Sequence, residues 1–495
     1  MVDFSQLWTS LDWIIVILYF IGVVGVGMLM HKKASKNFKS FFVAGRRLTI
    51  PVIIGVAAAG WYDSWTFVGL SECGATMGIC ILLINVVPAA ILRLPLAIWI
   101  GPFTRDKIPD YVVTMPDLVE YLFDRKTKLL STITPMAEVL YCAALLFVIG
   151  DVLHLVSGVS IIVTMIIAGL GVILYTTMAG LWALAVTDLI QFAIMTVAAG
   201  ALGIGILVEF GGVEPIWTTI AETNPERLTL TGGLPISEMI GWGMGGIAMY
   251  TSAQSYQRFG AAKGGADIRA AYTIMMFIGV AMCAMMVLTG MAVSVAYPDL
   301  YEDNYSMAYW GTVFSILPPG VRGLLVAAIF AAVMSTISAD LLVAAGVLVN
   351  DIIKGFFNKN MTDKGAIKGT RIGIVGFGIF VIIGTIFWSD GIARAWYYIG
   401  GFMVAVFFVP IVAGLFYKKK TRKAGFVSVS LSMILYFTWE FALGVPFGLQ
   451  TNALVWAFSA VVFFIACNVT YKSENGEGRL EKNEGGRIND GTNEN

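Results

Sequence analysis

Apolar stretches of about twenty residues recur along almost the whole chain, and nothing else in the sequence narrows the fold as much. A helix needs ~20 such residues to cross a hydrocarbon core of ~30 Å. In that medium every backbone N–H and C=O must find a partner within the protein, which leaves helices and closed barrels as spanning structures. With 58% hydrophobic and 13% charged residues among 495, the chain reads as an all-α integral membrane protein. The runs predict thirteen spans, at 11–30, 50–75, 79–101, 132–156, 159–179, 184–208, 238–258, 269–297, 320–347, 369–388, 392–417, 422–443 and 451–470. The first is too long for a signal-peptide core and lacks a basic lead and a cleavage site, so it reads as a retained span.

Charge tests that count. All of the 32 basic residues but four (Arg93, Arg227, Arg322 and Arg394) fall in alternate connections or the C-terminal segment. The bias places those connections in the cytoplasm of a multi-pass cell-membrane protein, with the N-terminus outside and the C-terminus inside. The segment 471–495, Gly/Asn/Glu-rich and poor in apolar groups, reads as a disordered cytoplasmic tail. The amphipathic stretch IPDYVVTMPDLVEYLFDRK reads as a helix along the inner interface. Five cysteines without C-x-x-C spacing, and only two histidines, give little basis for a structural metal site. His154, with Asp151 one turn away, reads as a buried histidine satisfied by that neighbour. No nucleophile and base pattern marks an enzyme.

Two spans interrupt themselves. The second carries AAAGWYDS, with Gly60, Asp63 and Ser64 in its middle, and the seventh carries GWGMGGIAMYTSAQSYQR. Transporters break helices near the bilayer midplane, where released carbonyls bind ions and substrate. Counted from the second span, the seventh opens a second set of five, as a five-plus-five inverted repeat requires. The implied organisation is an extra helix and lead (1–49), a first repeat (50–208), an outer loop (209–237), a second repeat (238–417), two further helices (418–470) and the tail. In FAAVMSTISA, 330–339, Ala332, Ser335 and Thr336 stand at i, i+3 and i+4, so one carbonyl and two hydroxyls share a helix face. Ser/Thr hydroxyls that merely bond back to the i−4 carbonyl are the plain alternative.

Five segments carry a resemblance. FFVAGRRL (41–48), TMPDLVEYLF (114–123), AGLWALAVTDLIQ (179–191), QRFGAAK (257–263) and the A-x-M-S-T of FAAVMSTISA resemble, in order, signatures of the sodium:solute symporter family. The match extends to about residue 440, and its motifs are closest to the sodium/proline and sodium/pantothenate branches. The resemblance implies a LeuT-type core with one extra helix before it. It further implies a sodium site built from the carbonyls of Ala59 and Tyr62 with Ala332, Ser335 and Thr336, and an ion exit route past Asp188. Asp188 would also suit a helix N-cap.

The substrate is less defined. Where the sodium/proline symporters have an Asp this chain has Trp61, and its own Asp63 falls two places later. Trp65 matches a Trp of that branch, while the Glu-Gln pair of the sodium/sugar branch is replaced by Trp65 and Thr66. Trp61, Asp63, Trp65, Trp242, Ser252 and Gln254 are the candidate substrate contacts. Asp63 has three open roles: ion ligand, partner of a substrate ammonium, or partner of a protein cation such as Arg93. The expected function is sodium-coupled import of a small organic solute, an amino acid (proline-like) or related zwitterion. A small carboxylate such as pantothenate or a monocarboxylate is the alternative, and a proton in place of sodium stays open. A membrane solute sensor on a transporter core is the reading of another class; such sensors append a signalling domain, and the tail offers none. The expected partners are a small-molecule substrate and the lipid bilayer, with no nucleic acid, and the chain is expected to be a monomer or weak oligomer.

Overall fold

A computed structural model describes residues 7–34, 37–178, 180–388 and 392–485. Among the described residues, eleven continuous helices are long and apolar enough to cross a membrane. The two expected spans missing from that set are the two interrupted ones, each of which is a pair of half-helices. In chain order the spanning elements are α1 (Ser10–Ala34), the halves α2 (Ile50–Ala59) and α3 (Leu70–Met77), α4 (Leu82–Lys107), α5 (Arg125–Ser157), α6 (Ile161–Met178) and α7 (Leu181–Glu209). Then come the halves α8 (Ile236–Gly246) and α9 (Ala253–Ala261), α10 (Gly265–Ala296), α11 (Val321–Phe357), α12 (Asp363–Ile386), α13 (Ile392–Phe416), α14 (Arg422–Ala442) and α15 (Thr451–Gly485). The arrangement is the LeuT-type five-plus-five inverted repeat with one helix before it and two after.

Lipid-facing and core-facing helices separate by composition. α1 turns Ile14, Ile17, Leu18 and Ile21 outward, each at least half exposed, as hydrocarbon permits. α11 is enclosed through its whole apolar stretch. It packs against α1, α5, α7, α12 and the half-helix α2, and its Ala- and Ser-rich middle lets those backbones approach closely. At its N-terminal end the buried Asp12 of α1 accepts hydrogen bonds from the N–H groups of Gly320 and Gly323, at 2.7 and 2.9 Å. An acceptor there satisfies donors that the first turn of a helix leaves open.

Several stretches depart from the sequence reading. The loop 209–237 contains a helix, Val213–Thr223, and a further helix, Tyr305–Ile316, precedes α11. Both are too short to span, so apolar-run counting passes over them. The last helix continues through Gly485 instead of giving way to a disordered tail near 471, and 486–495 lie outside the described residues, as does Ala179 of the fourth motif. His154 is not paired with Asp151. Its Nδ1 lies 2.6 Å from the carbonyl of Val159 at a helix end, and Asp151 bonds Ser306.

The interfacial segment is a short helix, Met115–Leu122, closed by a Thr114/Asp117 capping box. It is fastened by an ion cluster. The buried ammonium of Lys128 lies 2.7 Å from both Asp117 and Glu120 and 3.0 Å from the fully buried Asp351 near the C-terminal end of α11. Burial pushes the Asp117 carboxyl up, but its bonds to Asp351 and Lys128 outweigh that and hold it below the usual carboxylate range. Removing one member of a buried ion pair strands the others, at a cost of about 3–5 kcal/mol. Lys128→Met is therefore expected to lower the unfolding temperature in detergent markedly, and adding Asp351→Asn to restore part of the loss. Equal melting of Lys128→Met and wild type would show that the cluster contributes nothing.

Candidate functional site

The first break begins where Gly60 closes α2. Its N–H reaches the carbonyls of Ala57 and Ala58, and the chain stays out of regular helix until the wide π-type turn Trp65–Gly69. Two tertiary contacts fix it there. A Cβ on residue 60 would collide with the guanidinium of Arg258 from the second break, and one on Gly279 of α10 would come within 2.5 Å of the Trp61 ring. Glycine at both places leaves room for these side chains as the two halves meet.

Within this break, Asp63 is 8% exposed. One carboxylate oxygen accepts from the Tyr141 hydroxyl at 3.0 Å and the other from the Thr66 N–H at 3.3 Å, while Thr66 Oγ1 donates to the Trp61 carbonyl at 2.6 Å. Arg93 does not pair with Asp63. Its guanidinium carbon sits 3.1 Å from the centroid of the Trp61 ring, a cation–π arrangement. Trp61, Asp63, Trp65, Asn85, Arg93 and Trp396 contribute to the lining of one cavity of about 50 Å³.

Trp242 of the second break meets the wall of this cavity at Trp65. It stacks on Trp65 with centroids 5.9 Å apart and meets Tyr397 at 5.3 Å, and Asn85 donates to its carbonyl at 2.7 Å. On its other side lies a larger recess of about 570 Å³ with Glu72, Arg394, Tyr397 and Gln450 among its lining residues. Trp61, Asp63 and Trp65 thus share one chamber, and Trp242 lines the neighbouring recess.

Ser252 and Gln254 do not line the chamber. Gln254 Nε2 donates to Oδ1 of the buried Asp340 on α11, and Cys142 Sγ lies 3.5 Å from its other oxygen. Ser252 faces the carboxylate of Glu138 on α5. Arg258, 2% exposed, interacts electrostatically with Glu138, Asp340 and Asp188. Glu138, Asp340, Arg258 and Tyr141 are the residues that the sequence reading left without a role. One signal was available: Asp340 stands four positions after Thr336, so it shares the face of the Ser/Thr pair. Arg258 was grouped with the loop residues Lys263 and Arg269, yet it belongs to α9 and points inward.

On α11 the hydroxyls of Ser335 and Thr336 both donate to the Ala332 carbonyl, at 3.0 and 3.1 Å, which gathers three oxygens at one buried point. The back-bonding expected of ordinary Ser/Thr residues is present. The Tyr62 ring is fully buried and stacks on Phe192 of α7 at 5.9 Å. Asp188 is buried two turns inside α7, whose N-cap is Gly180, so it is not a helix cap. Its Oδ1 has no hydrogen-bond partner among the described residues.

Two helices broken at equivalent positions, a buried Ser/Thr pair beside them and a polar chamber between them define a LeuT-type secondary transporter. Likeness to solved transporters runs over nearly the full length. The chain superposes on a Na+-coupled sialic acid symporter with a TM-score of 0.80 at 20% identity, covering 93% of this chain and 98% of that one. It superposes on Mhp1, a nucleobase-cation-symport-1 family transporter, with a TM-score of 0.57 at 12% identity, covering 88% and 95%. These fix the fold. Residues 41–431 match the model of the sodium:solute symporter family, and the chain belongs to that family, which is one of transporters. Relatives include the osmoregulated proline transporter OpuE of Bacillus subtilis, 25% identical over 74% of this chain and 76% of that protein. The sodium/proline symporter 2 of Staphylococcus saprophyticus is 24% identical over 92% of this chain and 91% of its own length.

Because Gly60 makes room for Arg258, Gly60→Ala is expected to reduce transport in proteoliposomes at least tenfold while the protein still reaches the membrane and melts cooperatively. Unchanged uptake would mean that the two breaks do not need this approach.

Proposed function

We propose that the protein is a sodium-coupled symporter that imports a small zwitterionic solute, with proline-like amino acids as its class. The observation that carries this reading is the chamber at the first break, where a buried carboxylate, Asp63, lies among tryptophans. Sodium would be held by the carbonyls of Ala59, Tyr62 and Ala332 and the hydroxyls of Ser335 and Thr336. These are neutral hard oxygens of the kind small cations prefer, and Asp188 would lie on the ion's route inward. Family membership and relatives named as proline transporters support both sodium coupling and the amino-acid class. The chamber's volume supports a small solute, being roughly four times what one water needs.

The energetics suffice. One sodium ion entering down a membrane potential of 100 mV releases ~2.3 kcal/mol, enough for ~50-fold accumulation of a neutral solute. Import requires the recess outside Trp242 to face the exterior, in keeping with an N-terminus outside and a C-terminus in the cytoplasm, and a single chain contains the whole path.

The test is uptake by the purified protein in proteoliposomes. Ser335→Ala combined with Thr336→Ala is expected to abolish the stimulation by sodium and leave the melting temperature of the protein without sodium nearly unchanged. Sodium stimulation retained in the double variant would remove the site assignment. Flux that persists without sodium and collapses with the pH gradient would replace sodium by a proton.

A further inference from the structure

Arg93 is the chamber residue whose chemistry the function has not absorbed. It sits in the middle of α4, in an otherwise apolar sequence, and is 8% exposed. Its Nε and Nη1 have no hydrogen-bond partner among the described residues, and it forms no ion pair among them. The ring of Trp61 supports one face of the guanidinium, which fixes its plane but satisfies none of its N–H groups. Buried charges are ordinarily paired, and a planar fork of N–H donors is the group best matched to a carboxylate.

The carboxylate within the same chamber, Asp63, is already engaged by Tyr141 and Thr66. Arg93 and Asp63 therefore present one positive and one negative group to a common space of about 50 Å³, with indole rings as the rest of the wall. We propose that Arg93 is a substrate-binding residue that takes the carboxylate of the transported solute, while Asp63 takes its ammonium and Trp61 and Trp65 flank the carbon skeleton. This rests on the reading of the chamber as the site of a zwitterion, and it sharpens that reading: the solute carries both charges a short distance apart. With Arg93 and Asp63 opposed, the chamber is neutral on its own, so a zwitterion adds no net charge to it, whereas a monocarboxylate or a simple amine leaves one of the two groups unmatched.

The assignment is tested with three probes of similar size: L-proline, cyclopentanecarboxylate, which lacks the amine, and pyrrolidine, which lacks the carboxylate. Binding to the full-length protein in detergent with sodium is followed by tryptophan fluorescence and thermal shift, and proline uptake is followed in proteoliposomes. Wild type is expected to prefer proline at least 30-fold over either analogue. Arg93→Gln is expected to weaken proline at least 30-fold and leave pyrrolidine unchanged, and Arg93→Lys to recover only part of the loss because it keeps the charge but not the fork. Proline binding that survives Arg93→Gln, or an equal loss for proline and pyrrolidine, overturns the role of Arg93. If wild type instead prefers cyclopentanecarboxylate and Arg93→Gln abolishes its binding, the residue's role stands and the zwitterion reading falls. Binding of none of the three overturns both. Should Arg93→Gln fail to fold, Trp61→Leu removes the supporting ring and is expected to weaken proline more than pyrrolidine; equal weakening again overturns the proposal.

Discussion

A backbone that leaves the helix inside a bilayer exposes polar groups that hydrocarbon cannot satisfy, and the rest of this structure is arranged around two such places. Each break is enclosed by other helices, and each is held open by a side chain from the other half of the protein. Arg258 of the second break lies against Gly60 of the first. Trp242 of the second stacks on Trp65 of the first. The interruptions are therefore one feature shared between the repeats, and a change at either alters the space at both.

Around that junction lies a polar layer rare at such depth. Asp63, Glu138, Asp188 and Asp340 are all buried, and the guanidiniums of Arg93 and Arg258 are buried among them. Carboxylates outnumber cations there. Groups packed this closely feel one another's charge, so a change in one alters the balance felt by the others. Coupling between an ion and a solute needs such a shared reservoir, because each ligand must alter the free energy of binding the other.

The spans were legible because hydrocarbon imposes length and the positive-inside bias imposes alternation, and both are local properties of the chain. The breaks were legible through Gly60 and the glycines of the seventh span. What composition could not supply was direction. Arg258 reads as one more basic residue near a loop, since nothing nearby in sequence reveals that α9 turns it toward residues 60, 138 and 340. Asp188 reads as a cap because a helix start was expected close to it, whereas α7 begins two turns earlier. Lys128 reads as one more basic residue of a connection until its partner Asp351, more than two hundred residues away, is in place. In each case the deciding partner comes from a distant part of the chain.

The bond from Asp12 to Gly320 and Gly323 gives the first helix a mechanical meaning. It clamps α1 to the N-terminal end of the helix that carries Ser335 and Thr336, while Lys128 holds the C-terminal end of that helix through Asp351. α11 is thus tied at both of its ends to elements far away in the chain, so the helix that carries the Ser/Thr pair is held in register with α1 at one end and with the short helix Met115–Leu122 at the other.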